Sequence, residues 1–238
     1  MNPSTKDHRL QWIEPRRHLR APRAAAIAGI VFSVLLITGL LLLRRSIPVG
    51  PLEAGQWLRE SSGTVAVAVN LVPFAGIAFL WFIGVLRDRL GDHEDRFFAT
   101  VFMGSGLLFL AMLFVAAAFV GGIVAAYRIG FDRLPGSATF TLAREFASEA
   151  MNIYAVRMAA VFTMATSTLA LRTGFVSRWI AFVGYATALA LLFAGHYIDW
   201  IVLVFPIWIL LLSFHILIDN FGVWPKVGAG DSERKGDA

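Results

Sequence analysis

Apolar residues in this chain run in long blocks; they neither alternate with polar ones at a strand period nor keep to one helical stripe. The blocks cover residues 24–43, 65–86, 97–127, 151–171 and 179–218. A hydrocarbon core about 30 Å thick is crossed by roughly 20 helical residues, so each of the first four blocks suits one crossing. The last block holds 40 residues, and as a single helix it would reach about 60 Å, twice that thickness. It is therefore expected to fold back at its polar interruption, Gly195-His196-Tyr197-Ile198-Asp199. The pattern predicts an all-α fold, a polytopic membrane bundle of six transmembrane helices with spans at about 24–43, 65–86, 97–127, 151–171, 179–197 and 200–218.

The connections set orientation and helix ends. Residues 1–23 form a basic leader with Lys6, Arg9, Arg16, Arg17, Arg20 and Arg23, in which Pro15 and Pro22 prevent a long helix. Lys and Arg are retained on the cytoplasmic side of a membrane. With both termini inside, the leader, the 87–96 and 172–178 loops and the tail carry 14 Lys and Arg, against 6 in the outer connections. The expected arrangement is N-in/C-in. The first block is longer than a signal-peptide core and is followed by Arg44-Arg45, so it reads as a retained span, with Arg16-Arg17 as its cytoplasmic flank and not an export signal. Gly91 and Asp92, and later Gly174 and Ser177, are residue types that close one helix and open the next. The outer connection 44–64 contains a short amphipathic stretch, 52–60, suited to the membrane surface. The next outer connection turns at Pro135-Gly136 and reads as helix from about Thr141, so span four starts above the bilayer. The core domain is thus 24–221, and the Gly- and charge-rich tail, 222–238, is expected to be disordered.

Composition narrows the class further. The 238 residues are 58% hydrophobic and 16% charged, with mean hydropathy +0.69, whereas soluble domains hold roughly 45–50% apolar and about 25% charged residues. A soluble globular protein and a disordered chain are excluded, and short alternating segments of the outer-membrane barrel type do not occur. The chain has no Cys, which removes disulfides, thiolate nucleophiles and iron–sulfur clusters. Its net charge of +5 sits beside the spans, so the expected acidic partners are membrane lipids, with anionic headgroups at the basic leader, and no nucleic acid. No Gly-rich phosphate loop followed by Lys is present. The excess of Arg over Lys, 18 to 3, together with abundant Ala, points to a GC-rich bacterial genome and hence to the bacterial cytoplasmic (inner) membrane.

Polar groups at membrane depth carry the chemistry, because burying them in hydrocarbon is costly. Counting 1.5 Å per residue from each span's end places Arg157 and Asn70 roughly 8–9 Å below the outer boundary. Pro206 lies at matching depth, and Asn152, Tyr154, Glu149, His196 and Asp199 crowd the boundary above. Arg157 is expected to face the bundle, with Asp199 as preferred partner, or else to snorkel to headgroups. In the first case an outward-facing pocket uses Arg157 to fix an anionic group, with Asn70 and Tyr154 as neutral hydrogen-bonders. Pro73 and Pro206 support such a pocket by freeing backbone carbonyls. In the inner half, Ser105 and His215 share a depth, and Asp219 lies one turn beyond His215. This dyad has the residue types of an intramembrane nucleophile and base, although Ser beside Gly in a span is more often a packing residue. His196 and His215 lie near opposite faces, too far apart to hold one haem, and three His for zinc are not available within the spans. No metal or cofactor is expected.

Small residues at helix-packing spacing, Ala25 with Gly29, Ala111 with Ala118 and Gly122, and Gly184 with Ala188, predict close helix approach. Phe175-Val176-Ser177-Arg178-Trp179-Ile180-Ala181, Phe205-Pro206-Ile207-Trp208 and Arg87-Asp88-Arg89 resemble features of uncharacterised bacterial six-span membrane proteins. That resemblance covers about the last quarter of the chain and implies six spans in a cytoplasmic membrane without an assigned activity. The leading functional expectation is a non-enzymatic membrane component that binds or moves a lipid or small solute through the outer polar layer. The alternatives are a structural or regulatory subunit packing against a partner membrane protein or a second copy of itself, and an intramembrane hydrolase using Ser105 and His215.

Overall fold

The apolar blocks fold as helices whose ends fall within about a turn of the sequence boundaries, with one extension. A computed structural model describes residues 21–47, 55–90, 96–130, 135–174, 176–194 and 199–221. The long helices are α1 (Ala21–Ser46), α3 (Ser62–Leu90) and α4 (Arg96–Arg128), and between the first two lies the single-turn α2 (Gln56–Glu60). Next come α5 (Ala138–Glu149), a π-helical turn at Ala150–Ala155 and α6 (Val156–Thr173), which together form one unbroken rod. The described residues close with α7 (Arg178–Ala194), a 3₁₀ turn at Asp199–Leu203 and α8 (Val204–Phe221). No strand occurs among the described residues. The leader before Ala21, the tail beyond Phe221 and the Gly91-Asp92 turn lie outside them.

Among the described residues, five helices are long and apolar enough to cross a membrane: Arg23–Ser46, Ser62–Arg87, Phe97–Arg128, Ala138–Thr173 and Trp200–Asp219. The sixth apolar block forms a shorter helix, Arg178–Phe193. The expected break in the 40-residue block occurs where α7 ends, at Ala194, with helix resuming at Asp199. Side-by-side packing runs around a closed ring in the order α1, α3, α4, α6, α7, α8, with the most extensive contacts between α1 and α3. These apolar helices mark a membrane-embedded protein.

Lipid is as apolar as a helix interior, so packing and not the hydrophobic effect must hold such a ring together. Its centre is filled by phenylalanine. Phe79 of α3 lies 4.6 Å from Phe32 of α1, 5.3 Å from Phe109 of α4, 5.3 Å from Phe162 of α6 and 6.0 Å from Phe205 of α8, centroid to centroid. Most of these pairs are tilted or edge-to-face, the arrangements aromatic quadrupoles favour. Two of the small-residue pairs work as expected. A methyl group on Gly29 would strike the Ser213 hydroxyl and the Phe82 ring, and one on Gly184 would strike Ser167 and Trp208. Ala111, Ala118 and Gly122 instead lie exposed on α4.

Candidate functional site

One end of the bundle carries a cap. After the Pro135-Gly136 turn, Ser137 takes the N-cap of α5, its hydroxyl accepting from the Phe140 N–H at 3.1 Å. Helix thus begins three residues before Thr141, and span four does rise from a longer rod. Only part of the amphipathic stretch is helical, and it does not simply lie on the surface: Trp57 and Leu58 of α2 are buried. Gly55, at the start of α2, sits so close to Pro135 that a Cβ there would collide with the proline ring. The two connections are thereby locked together over a second hydrophobic cluster of Trp57, Leu58, Val65, Ile123, Val124 and Phe140.

Between this cluster and the phenylalanine core lies a cavity of about 290 Å³. Leu36, Leu40, Val72 and Leu113 of the main core form one wall, and Trp57 and Ile123 of the cap cluster form the other. Gly39 of α1 leaves room there, since an added Cβ would meet only the Ala68 carbonyl, at 3.5 Å. The polar lining consists of Arg44, Arg144, Ser148 and Asn152. Asn152 donates through Nδ2 to the Ser148 hydroxyl at 3.1 Å. The Arg44 guanidinium lies 5.9 Å from the centre of the Trp200 ring. No Asp or Glu is among the described residues lining the space.

Local backbone chemistry adds to the polarity. Pro73 and Pro206 follow Val69 and Val202 by four residues, and both valines line the cavity. Proline has no N–H, so neither carbonyl has a donor four residues on. The two valines line the space, whereas Pro73 and Pro206 themselves do not. Met151 and Asn152, also lining it, belong to the π turn. Such turns insert one residue into an α-helix and recur at functional sites.

The sequence-derived candidates divide around this cavity. Asn152 lines it. Arg157, Asn70, Glu149 and Tyr154 are exposed, and none of them lines it. Of the two readings of Arg157, its exposure on α6 fits the side chain that snorkels outward and not the one that faces the bundle. The 3₁₀ turn begins at Asp199, whereas His196 lies outside the described residues. The arginines that reach the cavity, Arg44 and Arg144, stand outside the apolar blocks and were missed. The available signals were an Arg directly after span one and the i, i+4 pair Ser148 and Asn152.

At the opposite end the Ser105 and His215 dyad does not form. Ser105 donates to its own helix, to the Val101 carbonyl at 2.6 Å and the Phe102 carbonyl at 3.2 Å. His215 meets Ser177, whose N–H donates to Nε2 at 3.4 Å and whose hydroxyl lies 3.2 Å from the same nitrogen. The imidazole thus acts as an acceptor at the start of α7, while Asp219 is exposed. Other span hydroxyls are also turned back onto their own helices, as with Thr163 to the Ala159 carbonyl and Thr166 to the Phe162 carbonyl. Gly174 closes α6 in the left-handed conformation, φ 67°, as its residue type predicted. Among the described residues no group of three or more His, Asp or Glu is placed to hold a metal ion.

Fold and site together define a class, an all-helical membrane-embedded protein with an amphipathic cavity at one end. No family model matches the chain, and neither curated proteins nor solved structures give a match.

Proposed function

We propose that this protein binds a membrane amphiphile, without chemistry on it, in the cavity between α1, α3, α4 and the α5 rod. The observation that carries this reading is the composition of the cavity: a hydrocarbon-like floor under a rim with two arginines, Ser148 and Asn152. Water-soluble ligands gain little from such a floor, whereas a lipid chain does. The ring of phenylalanines supports binding over conduction, because it leaves the bundle centre dry and filled. With N-in/C-in orientation in a bacterial cytoplasmic membrane, the cavity faces the outer leaflet. The likeness to uncharacterised six-span bacterial proteins fits that placement.

The test is photo-crosslinking in vesicles with a single-chain lysophospholipid carrying a diazirine at its chain end. Label is expected on the α4 peptide containing Leu113 and Ile123. Gly39→Leu, which has room for its Cβ, fills the cavity and is expected to abolish that label at an unchanged melting temperature. Undiminished labelling in Gly39→Leu would overturn the reading. A second reading, packing against another membrane chain, is favoured by the exposed small residues Ala111, Ala118 and Gly122 on α4. A stable oligomer in native mass spectrometry that Ala118→Phe dissociates would support it.

A further inference from the structure

We infer that the occupant carries an anionic, oxygen-rich headgroup above a single inserted chain, and that the Trp57 indole N–H is one of its hydrogen-bond donors. This rests on the amphiphile reading above and gives the ligand's chemical class.

Charge is the first argument. Two guanidiniums and no carboxylate are among the described lining residues, and guanidinium geometry matches carboxylate and phosphate oxygens. Placement is the second. Arg44 directly follows the first apolar block, and Arg144 precedes Met151 by seven residues, about 10 Å of helix. Both charges therefore stand at or above the level where hydrocarbon ends, with the apolar floor below. A headgroup at the rim and a chain on the floor is the arrangement that satisfies both.

Trp57 supplies the third argument. The residue is 4% exposed, its ring is part of the cavity wall, and Nε1 is buried without a hydrogen-bond partner. A buried indole N–H ordinarily finds an acceptor. Trp208 and Ser213 hold the other unpartnered buried side-chain atoms among the described residues, and neither lines the cavity. Trp57 alone combines an unmet donor with an adjoining space and nearby positive charge. Nε1 itself is covered in the ligand-free structure, so the assignment requires the ring to turn as a headgroup enters and bring the N–H to one of its oxygens. The space, about 290 Å³, is at the lower end of ligand pockets, which run roughly 300–1,000 Å³, and so suits one chain and not the paired chains of a whole diacyl lipid.

The experiment is calorimetric titration of the full-length protein in phosphatidylcholine nanodiscs, which supply no single-chain amphiphile, with dodecyl phosphate, chain-matched dodecylphosphocholine and inorganic phosphate. Dodecyl phosphate is expected to bind about tenfold tighter than dodecylphosphocholine, with inorganic phosphate failing to compete. Arg144→Gln is expected to erase that preference. Trp57→Phe, which keeps the ring and removes the donor, is expected to weaken dodecyl phosphate about fivefold without lowering the ligand-free melting temperature. Equal affinity for the two chain-matched probes, both blocked by Gly39→Leu, overturns the anionic assignment and leaves the amphiphile reading standing. Failure of both probes to bind overturns the amphiphile reading as well. Tight binding of inorganic phosphate overturns the need for a chain. An unchanged dodecyl phosphate affinity in Trp57→Phe overturns the role given to the indole.

Discussion

Phe79 touches more of the bundle's aromatic centre than any neighbour, and its environment decides what its loss costs. In a water-soluble core, Phe→Ala forfeits both transfer free energy and packing, about 3–5 kcal/mol together. Here the competing medium is lipid, so mainly the cavity term remains. Phe79→Ala is expected to destabilise the protein by about 2 kcal/mol, read as a lowered melting temperature in detergent, and Phe79→Leu by clearly less. Gly29 tests the opposite error. Gly29→Ala presses on Ser213 and Phe82 and is expected to cost about 1–3 kcal/mol, whereas Gly104→Ala, with nothing near its Cβ, is expected to be neutral. Pairing Gly29→Ala with Ser213→Ala should recover part of the loss. Position along a span follows from the sequence by counting alone. Azimuth does not. With apolar residues all round each span, the sequence does not separate the face that meets other helices from the face that meets lipid, and for that reason it leaves both an inward and a snorkelling Arg157 open, of which the exposed side chain fits the second.

Among the elements, the rod running through Ala138–Thr173 holds the least legible feature. Its Gly174 stop and the Pro135-Gly136 turn before it appear as expected from residue types, while the helix starts at Ala138, three residues ahead of Thr141. The π turn at Ala150–Ala155 has no such signature, since neither Gly nor Pro interrupts that stretch. Its consequence is a register change between α5 and α6. Arg144 and Ser148 are on the cavity side of the upper part, while Phe162 of the lower part reaches the aromatic core. Deleting Ile153 returns the turn to α-helical spacing and rotates α5 by roughly 100° relative to α6. The deletion is expected to leave a folded, membrane-inserted protein by circular dichroism, yet to lose labelling by the diazirine lipid. Deleting Thr166, within regular helix and buried among its neighbours, is expected to prevent folding altogether.

At the scale of the whole molecule, the closed ring and the cap make the two ends unlike. One end holds the cavity between two hydrophobic clusters, and the other is tied by the Ser177 and His215 hydrogen bonds. Vesicles containing the purified protein are therefore expected to retain a trapped fluorescent anion as well as protein-free vesicles do, because the phenylalanine centre offers no wet path. Orientation is accessible to single-cysteine labelling, since the native chain has no Cys. Glu149→Cys is expected to react with a membrane-impermeant maleimide added outside intact cells, and Thr173→Cys only after lysis. The block pattern conveyed the number of apolar segments and where they break, but not which of them pair, because ring order depends on small local contacts such as those at Gly29 and Gly184.

The brevity of α7 bears on where such a protein can reside. Its 17 residues rise about 25 Å, several ångströms less than a typical hydrocarbon layer. A crossing at α7 makes adjoining lipid compress or draws headgroups inward on that flank alone, a lopsided deformation that relaxes in thinner sheets. In phosphatidylcholine bilayers of graded chain length, thermal stability is expected to peak at the shorter chains, and in a mixed bilayer the protein should gather in the thin domains.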